Sequence, residues 1–169
     1  MTQSLHRTWV YGDNVNTDVI FSGKYTYTVK TPQAIAAHAL EDLDPTFAPN
    51  VQAGDIVIGG DNWGCGSSRE QAVTALKYCG VGVIIASSFS GLYFRNCINQ
   101  GIHPIICPDL NLALKTGDTI EIDYAKQLIL ADGRQWQIPP LSPTVERILQ
   151  AGGLVAMLKQ RPAHPPNRS

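Results

Sequence analysis

An α/β fold, with parallel βαβ units and an added antiparallel β section, is predicted by three observations. Short apolar runs and helix-like runs alternate through the middle of the chain with brief connections, the pattern of parallel βαβ units. A glycine-rich bend joins one such run to the next helix. Beyond Pro108 the helix signals give way to alternating strand-like runs, with Asp132-Gly133 as a tight turn.

Taken in order, residues 8–11 predict a short strand, followed by the turn-rich Gly12-Asp13-Asn14-Val15-Asn16-Thr17-Asp18. Thr31 and Pro32 are N-cap and first-turn residues for a helix over 33–40. Residues 55–59 form a buried strand that ends at the bend. A helix is expected over 67–78, because Ser67 and Glu70 have capping-box spacing and Ala72, Leu76 and Cys79 share a face. Residues 81–87 predict a β-branched strand, 90–100 a helix stopped by Gly101, and 103–107 a further strand. Strands over 119–124, 127–130 and 135–138 make the antiparallel section. A helix over 144–160 is broken by Gly152-Gly153. The expected organisation is one domain over residues 1–160 and a proline-rich, disordered tail over 161–169.

With 169 residues the chain is long enough to bury a sizeable core, and its formal net charge of −1 gives no reason to expect nucleic acid or a charged membrane. The first residues lack the apolar stretch of a secretory signal, and the apolar run over 81–86 is far too short to span a bilayer. Cys65, Cys79, Cys97 and Cys107 form no C-x-x-C pair, so free thiols in a reducing cytoplasm are expected. They do not have the spacing of a metal site.

The chemistry is concentrated in Gly60-Asp61-Asn62-Trp63-Gly64-Cys65-Gly66-Ser67-Ser68-Arg69-Glu70. Glycines let backbone N–H groups approach a ligand, a helix N-terminus offers free amides, and arginine grips an anion in a bidentate fork. Residues 59–64 have Walker A glycine spacing, but Cys65 stands where the lysine is required. A dinucleotide fingerprint fails because Arg69 replaces the third glycine. A nucleophile elbow fails because neither Ser67 nor Ser68 has a glycine two residues on. A carboxylate ligand is what these exclusions leave. The plainer alternative is a capped helix start with Arg69 on the surface, which would need one hydroxyl and no glycine pair. Cys65 fits a small packed thiol better than a nucleophile. His38, His103 and His164 carry no motif and are expected to be ordinary surface or core residues, with His6 in a mobile terminus; Trp9, Trp63 and Trp136 are expected to pack.

Three segments together resemble one family: the bend, Gly12-Asp13-Asn14-Val15-Asn16-Thr17-Asp18-Val19-Ile20, and Ala86-Ser87-Ser88-Phe89-Ser90-Gly91-Leu92-Tyr93-Phe94-Arg95-Asn96-Cys97-Ile98-Asn99-Gln100-Gly101. They are similar to the small subunits of 3-isopropylmalate dehydratases, the swivelling β/β/α domain of the aconitase superfamily carried on its own chain. The resemblance spans roughly residues 8–160. It implies a hydro-lyase that interconverts 2-isopropylmalate and 3-isopropylmalate by dehydration and rehydration in leucine biosynthesis, active only with a large subunit as heterodimer or heterotetramer. That large subunit would carry a [4Fe–4S] cluster as Lewis acid, and this chain would bind no cofactor. Ser67 would be the base that takes the proton α to a carboxylate. Arg69 would hold a substrate carboxylate, with Ser68 and the Gly66 amide adding hydrogen bonds.

The resemblance also places Lys24, Tyr25, Thr26, Tyr27 and Thr28 beside the substrate's variable group. Family members acting on isopropylmalate often carry arginine where Tyr27 stands. An aromatic face with one hydroxyl replaces a fixed charge there, so homocitrate, a methylated malate and a bulkier apolar malate stay open as substrates. The alternatives are the small subunit of a homoaconitase or another malate-derivative dehydratase, and a non-catalytic anion-binding module. The intact Ser67-Ser68-Arg69 argues against the last.

Overall fold

The computed structural model describes residues 4–160; the expected tail over 161–169 lies outside the described residues. Seven strands form one mixed sheet in the order β4-β3-β2-β1-β5-β6-β7. The first four, β1 (Leu5–Val10), β2 (Ile56–Gly59), β3 (Val83–Ala86) and β4 (His103–Ile106), are parallel. The last three, β5 (Thr119–Asp123), β6 (Leu128–Ala131) and β7 (Arg134–Gln137), are antiparallel, and β5 joins the parallel half by pairing with β1. That pairing explains why β1 starts three residues earlier than its sequence pattern predicts. Its first half pairs with β5 at Leu5–Glu121, and its second half with β2 at Thr8–Ile56.

Period-two alternation then divides the core in two. Val57 and Ile84 face one side, with Phe21, Leu40, Phe47, Trp63 and Leu76. Ile56, Ile58 and Ile85 face the other, against Leu110, Ile120 and Ile129. Every residue of β2 is buried because both faces are covered, as parallel strands require. The second cluster draws residues from both halves of the sheet, so the sheet curls and the antiparallel section folds over the parallel one.

On the first face lie α2 (Pro32–Ala37), α4 (Gln71–Tyr78) and α5 (Gly91–Gln100). Thr31 caps α2 through its hydroxyl, which accepts from Ala34 N–H at 3.2 Å with Pro32 at the first position, as the sequence predicts. The Asp132-Gly133 turn between β6 and β7 has positive φ at both residues, 49° and 72°, matching the right-handed twist of the hairpin. The helix expected over 144–160 is two helices, α7 (Pro143–Gln150) and α8 (Leu154–Lys159), separated at Gly152-Gly153. Short helices that carry no strong sequence signal complete the described residues: α1 (Thr17–Ile20), a 3₁₀ turn at Gly23–Tyr25, α3 (Phe47–Asn50) and α6 (Leu110–Ala113).

Two expectations are corrected. His6 is not in a mobile terminus but in β1, opposite Ile120, with its Nδ1 2.7 Å from Gly54 C=O. The helix after the bend begins at Gln71, not at Ser67, and Glu70 makes no side-chain cap. Thr17 Oγ1 accepts the Ser67 N–H at 3.0 Å, and Gly66 holds φ at +106°, so the chain at Ser67 is pinned to the neighbouring segment and the helix starts later. The capping-box spacing is present in the sequence, but a contact from across the molecule wins over it.

Candidate active site

The bend leaves the C-terminal end of β2, the end at which parallel α/β sheets present ligand sites. Two segments grip it. On one side Gly60 N–H donates to Gly12 C=O at 3.0 Å, Gly64 N–H to Val15 C=O at 2.8 Å, and Thr17 N–H to Cys65 C=O at 2.8 Å. On the other, Trp63 N–H donates to Ser88 C=O at 3.0 Å and Ser90 N–H to Trp63 C=O at 2.9 Å. The three sequence segments that carry the family resemblance therefore meet around one turn of chain. Trp63 is fully buried beneath it, packed where a Cβ on Gly59 would fall 2.2 Å from its ring. A Cβ on Gly64 would fall 2.1 Å from the Tyr93 ring, so close packing as well as its φ of +77° requires glycine there.

At the surface of this turn stand Gly66, Ser67 and Ser68, all exposed, and the half-buried Arg69. Ser67 Oγ accepts from Arg69 Nε at 3.1 Å and lies 3.1 Å from Thr17 Oγ1. Because Thr17 Oγ1 already accepts from Ser67 N–H, its own proton is free to point at Ser67 Oγ. The serine oxygen thus faces one cationic donor and a hydroxyl able to act as a second. Such an arrangement favours negative charge on the oxygen.

Arg69 uses every edge of its guanidinium. Its Nε reaches Ser67, its Nη1 donates to Thr26 Oγ1 at 3.1 Å, and its Nη2 pairs with Asp18 Oδ1. Asp18 is largely exposed, its side chain retaining 71% of its accessible surface against 20% for Arg69. One nitrogen of the fork is therefore already paired with a carboxylate that water can reach. Ser68 has its carbonyl, not its hydroxyl, engaged, by Asn96 Nδ2 at 3.4 Å.

The structure does not gather all the residues expected beside the substrate in the same way. Thr26 joins the Arg69 cluster, but the neighbouring Tyr25 turns its hydroxyl away, onto Glu41 Oε1 at 2.5 Å. Lys24 Nζ lies 3.7 Å from the same carboxylate oxygen and 4.9 Å from the centre of the Tyr25 ring. Tyr27 is 85% exposed at the apex of the loop, and Thr28 is exposed beside it. Thr17 and Asp18 are the functional candidates that sequence reasoning missed. Both stand inside the motif quoted for the family, so the signal was present without a role attached.

Hydroxyl, amide and guanidinium groups make up this site. Among the described residues no group of three or more His, Cys, Asp or Glu side chains could hold a metal ion, and these donors do not fit an iron–sulfur cluster. The four cysteines are free, and burial pushes the Cys79 and Cys107 thiols up to about 11. No helix among the described residues is long and apolar enough to cross a membrane.

A glycine bend at the carboxyl end of a parallel strand, carrying a serine between cationic and hydroxyl donors, defines the swivelling-domain class. The chain belongs to the aconitase C-terminal domain family, whose model matches residues 12–110. It is 42% identical over 155 residues to a 3-isopropylmalate dehydratase small subunit of Archaeoglobus fulgidus, covering 90% of this chain and 95% of that one. It is 44% identical to a methanogen homoaconitase small subunit of Methanocaldococcus jannaschii, covering 89% and 88% of the two chains. The crystal structure of a 3-isopropylmalate dehydratase from the same organism superposes with a TM-score of 0.87 at 40% identity, covering 94% of this chain and 95% of that one.

Proposed function

We propose that this chain is the small subunit of a two-chain hydro-lyase that interconverts 2-isopropylmalate and 3-isopropylmalate in the leucine pathway of the cytoplasm. The observation that carries the chemistry is the junction of Ser67 and Arg69, a hydroxyl oxygen that accepts from a guanidinium and adjoins the Thr17 hydroxyl, beside a guanidinium nitrogen already paired with a carboxylate. Dehydration of a hydroxy acid requires removal of a proton from the carbon α to a carboxylate. Ser67 takes that proton as alkoxide. A serine hydroxyl is a poor base in water; the Arg69 Nε–H and the Thr17 O–H lower the cost of its charge. Rehydration returns the proton by the same path.

Arg69 binds the substrate carboxylate through the Nη edge that now holds Asp18. Ser68 Oγ and the exposed amides around Gly66 add hydrogen bonds to it. Asp18 gives up Nη2 to the substrate, while Ser67 Oγ and Thr26 Oγ1 continue to orient the guanidinium. The leaving hydroxyl is proposed to be activated by a [4Fe–4S] cluster on the large subunit, since the donors of this chain are not cluster ligands. A dimer of the two subunits, or a dimer of such pairs, serves equally for this chemistry.

A second reading, the small subunit of a homoaconitase, is favoured by the 44% identity to a protein of that name. It would require a place for a third carboxylate near Tyr27. Lys24 is the cation of that loop, and it is drawn toward Glu41. That arrangement supports the apolar side group instead.

The test is reconstitution with the large subunit and assay on 3-isopropylmalate and on homocitrate-type acids. Turnover of the first at least about tenfold above the second is expected; the reverse order would replace the first reading by the second. Ser67→Ala is expected to assemble normally and to lose about a thousandfold in kcat, the scale of a lost general base. Near-normal turnover would remove Ser67 from the mechanism.

A further inference from the structure

Behind the loop over residues 23–29, Tyr25 and His38 meet on the Glu41 carboxylate, with Lys24 Nζ beside it. Tyr25 stacks on His38 with ring centroids 3.9 Å apart and planes 23° apart. The Tyr25 hydroxyl donates to Glu41 Oε1 at 2.5 Å, and His38 Nδ1 meets Glu41 Oε2 at 2.5 Å. Each oxygen of one carboxylate thus serves one ring of the stacked pair. The hydrogen bonds from Tyr25, and then from His38, hold the Glu41 carboxyl below its usual range, and the same contact to Glu41 raises the Tyr25 phenol. His38 closes α2, the helix that packs against α4, and Glu41 follows it within one turn.

The adjacent residue makes the connection to the site. Thr26 Oγ1 accepts from Arg69 Nη1, and Thr26 N–H closes the 3₁₀ turn on Gly23 C=O at 3.1 Å. One residue further on, Tyr27 projects into solvent. A short loop carrying an exposed tyrosine would ordinarily sample many conformations and lose entropy on binding. Here it is clamped at two consecutive residues on opposite sides.

Resting on the function proposed above, we propose that His38 and Glu41 are positioning residues of the active site. They fix Tyr25, and through Thr26 they hold the Arg69 fork and present Tyr27 to the substrate's side group. Neither touches the reacting atoms. Their effect is pre-organisation, so their loss is read in substrate binding and not in the chemical step.

The experiment compares Glu41→Ala, Glu41→Gln and His38→Phe in the full chain. In the reconstituted pair, Glu41→Ala is expected to raise KM for 3-isopropylmalate about tenfold with kcat within about threefold. Glu41→Gln, which keeps an acceptor for the Tyr25 hydroxyl, is expected to recover most of that loss. His38→Phe keeps the stack but not the hydrogen bond and falls between them. A second readout needs no activity: limited trypsin digestion of the isolated chain, followed by mass, should cut after Lys24 and Lys30 about tenfold faster in Glu41→Ala, with cutting after Lys77 and Lys115 unchanged. Wild-type KM together with wild-type cleavage at Lys24 would overturn the proposal. So would faster cleavage at all four lysines, since that is general loss of fold. Failure of the wild-type pair on every hydroxy acid would overturn the function, while the digestion would still decide the brace.

Discussion

Two arginine–carboxylate pairs stand at opposite ends of β2, and the same chemistry is put to opposite uses. At the N-terminal end, Asp55 is buried and its Oδ2 accepts from Arg7 at 2.6 Å, Trp9 Nε1 at 2.9 Å and Gln52 N–H at 2.9 Å. Its side chain keeps 6% of its accessible surface. At the C-terminal end Asp18 keeps 71% and, among the described residues, its side chain is held by Arg69 alone. A carboxylate held by three residues and largely shielded from water is not readily exchanged for a ligand. A largely exposed one with a single partner can be. Burial and donor count, not the ion pair itself, separate scaffold from site.

Breaking the buried pair gives the largest effect in this comparison. Asp55→Asn is expected to cost about 2–3 kcal/mol, because it removes a charged acceptor from several buried donors while Arg7 keeps partial access to water. Denaturant unfolding should show it, with a Tm lower by about 5–10 °C and unchanged kinetics in the assembled enzyme. The pH dependence has a definite sign. Burial raises the Asp55 carboxyl, but the donors from Arg7, Trp9 and Gln52 outweigh it and leave it below its ordinary value. Its stabilising contribution is therefore complete above the ordinary carboxylate pKa and is lost as pH falls through the lower folded value. The acid limb of the stability curve should flatten in Asp55→Asn; an unaltered limb would show that other carboxylates govern it.

Changing the exposed pair should leave stability alone. Arg69→Lys keeps the charge but cannot serve Ser67, Thr26 and a carboxylate at once. Loss of about thirtyfold in kcat/KM, shared between a higher KM and a lower kcat, is expected with Tm within about 1 °C. A Tm drop comparable to that of Asp55→Asn would erase the distinction between the two ends.

This contrast also explains what could be read from the chain. The bend was legible because its chemistry is local: glycines, hydroxyls and an arginine stand within seven residues of one another, from Gly64 to Glu70. The strands of the parallel half were legible because burial on both faces leaves short apolar runs. The helix start was misread because Ser67 and Glu70 satisfy a local pattern that Thr17, fifty residues away in the chain, overrides. The curl of the sheet, and the joining of its halves through β1 and β5, depend on pairings that no local period encodes. The contacts of His38 are illegible for the same reason. Its meaning lies in a stack on Tyr25 and a shared carboxylate, neither of which spacing reveals.

The smallest effect tests the residue that sequence reasoning missed. Thr17 is 2% exposed, yet its hydroxyl lies in direct reach of Ser67 Oγ. Thr17→Val is nearly isosteric but not chemically neutral. It removes the acceptor for Ser67 N–H and the donor to Ser67 Oγ together, leaving Arg69 Nε as the oxygen's remaining side-chain partner. If Thr17 only anchors the bend, the loss is one neutral hydrogen bond, about 1 kcal/mol of stability, with kcat unchanged. If its proton supports the alkoxide, kcat falls about tenfold while KM stays near wild type, because the missing bond strengthens only as charge develops. Thr17→Ser, which restores the hydroxyl, should recover the rate. The split between kcat and Tm in this pair of variants places Thr17 on the scaffold side or the site side of the division drawn by the two arginines.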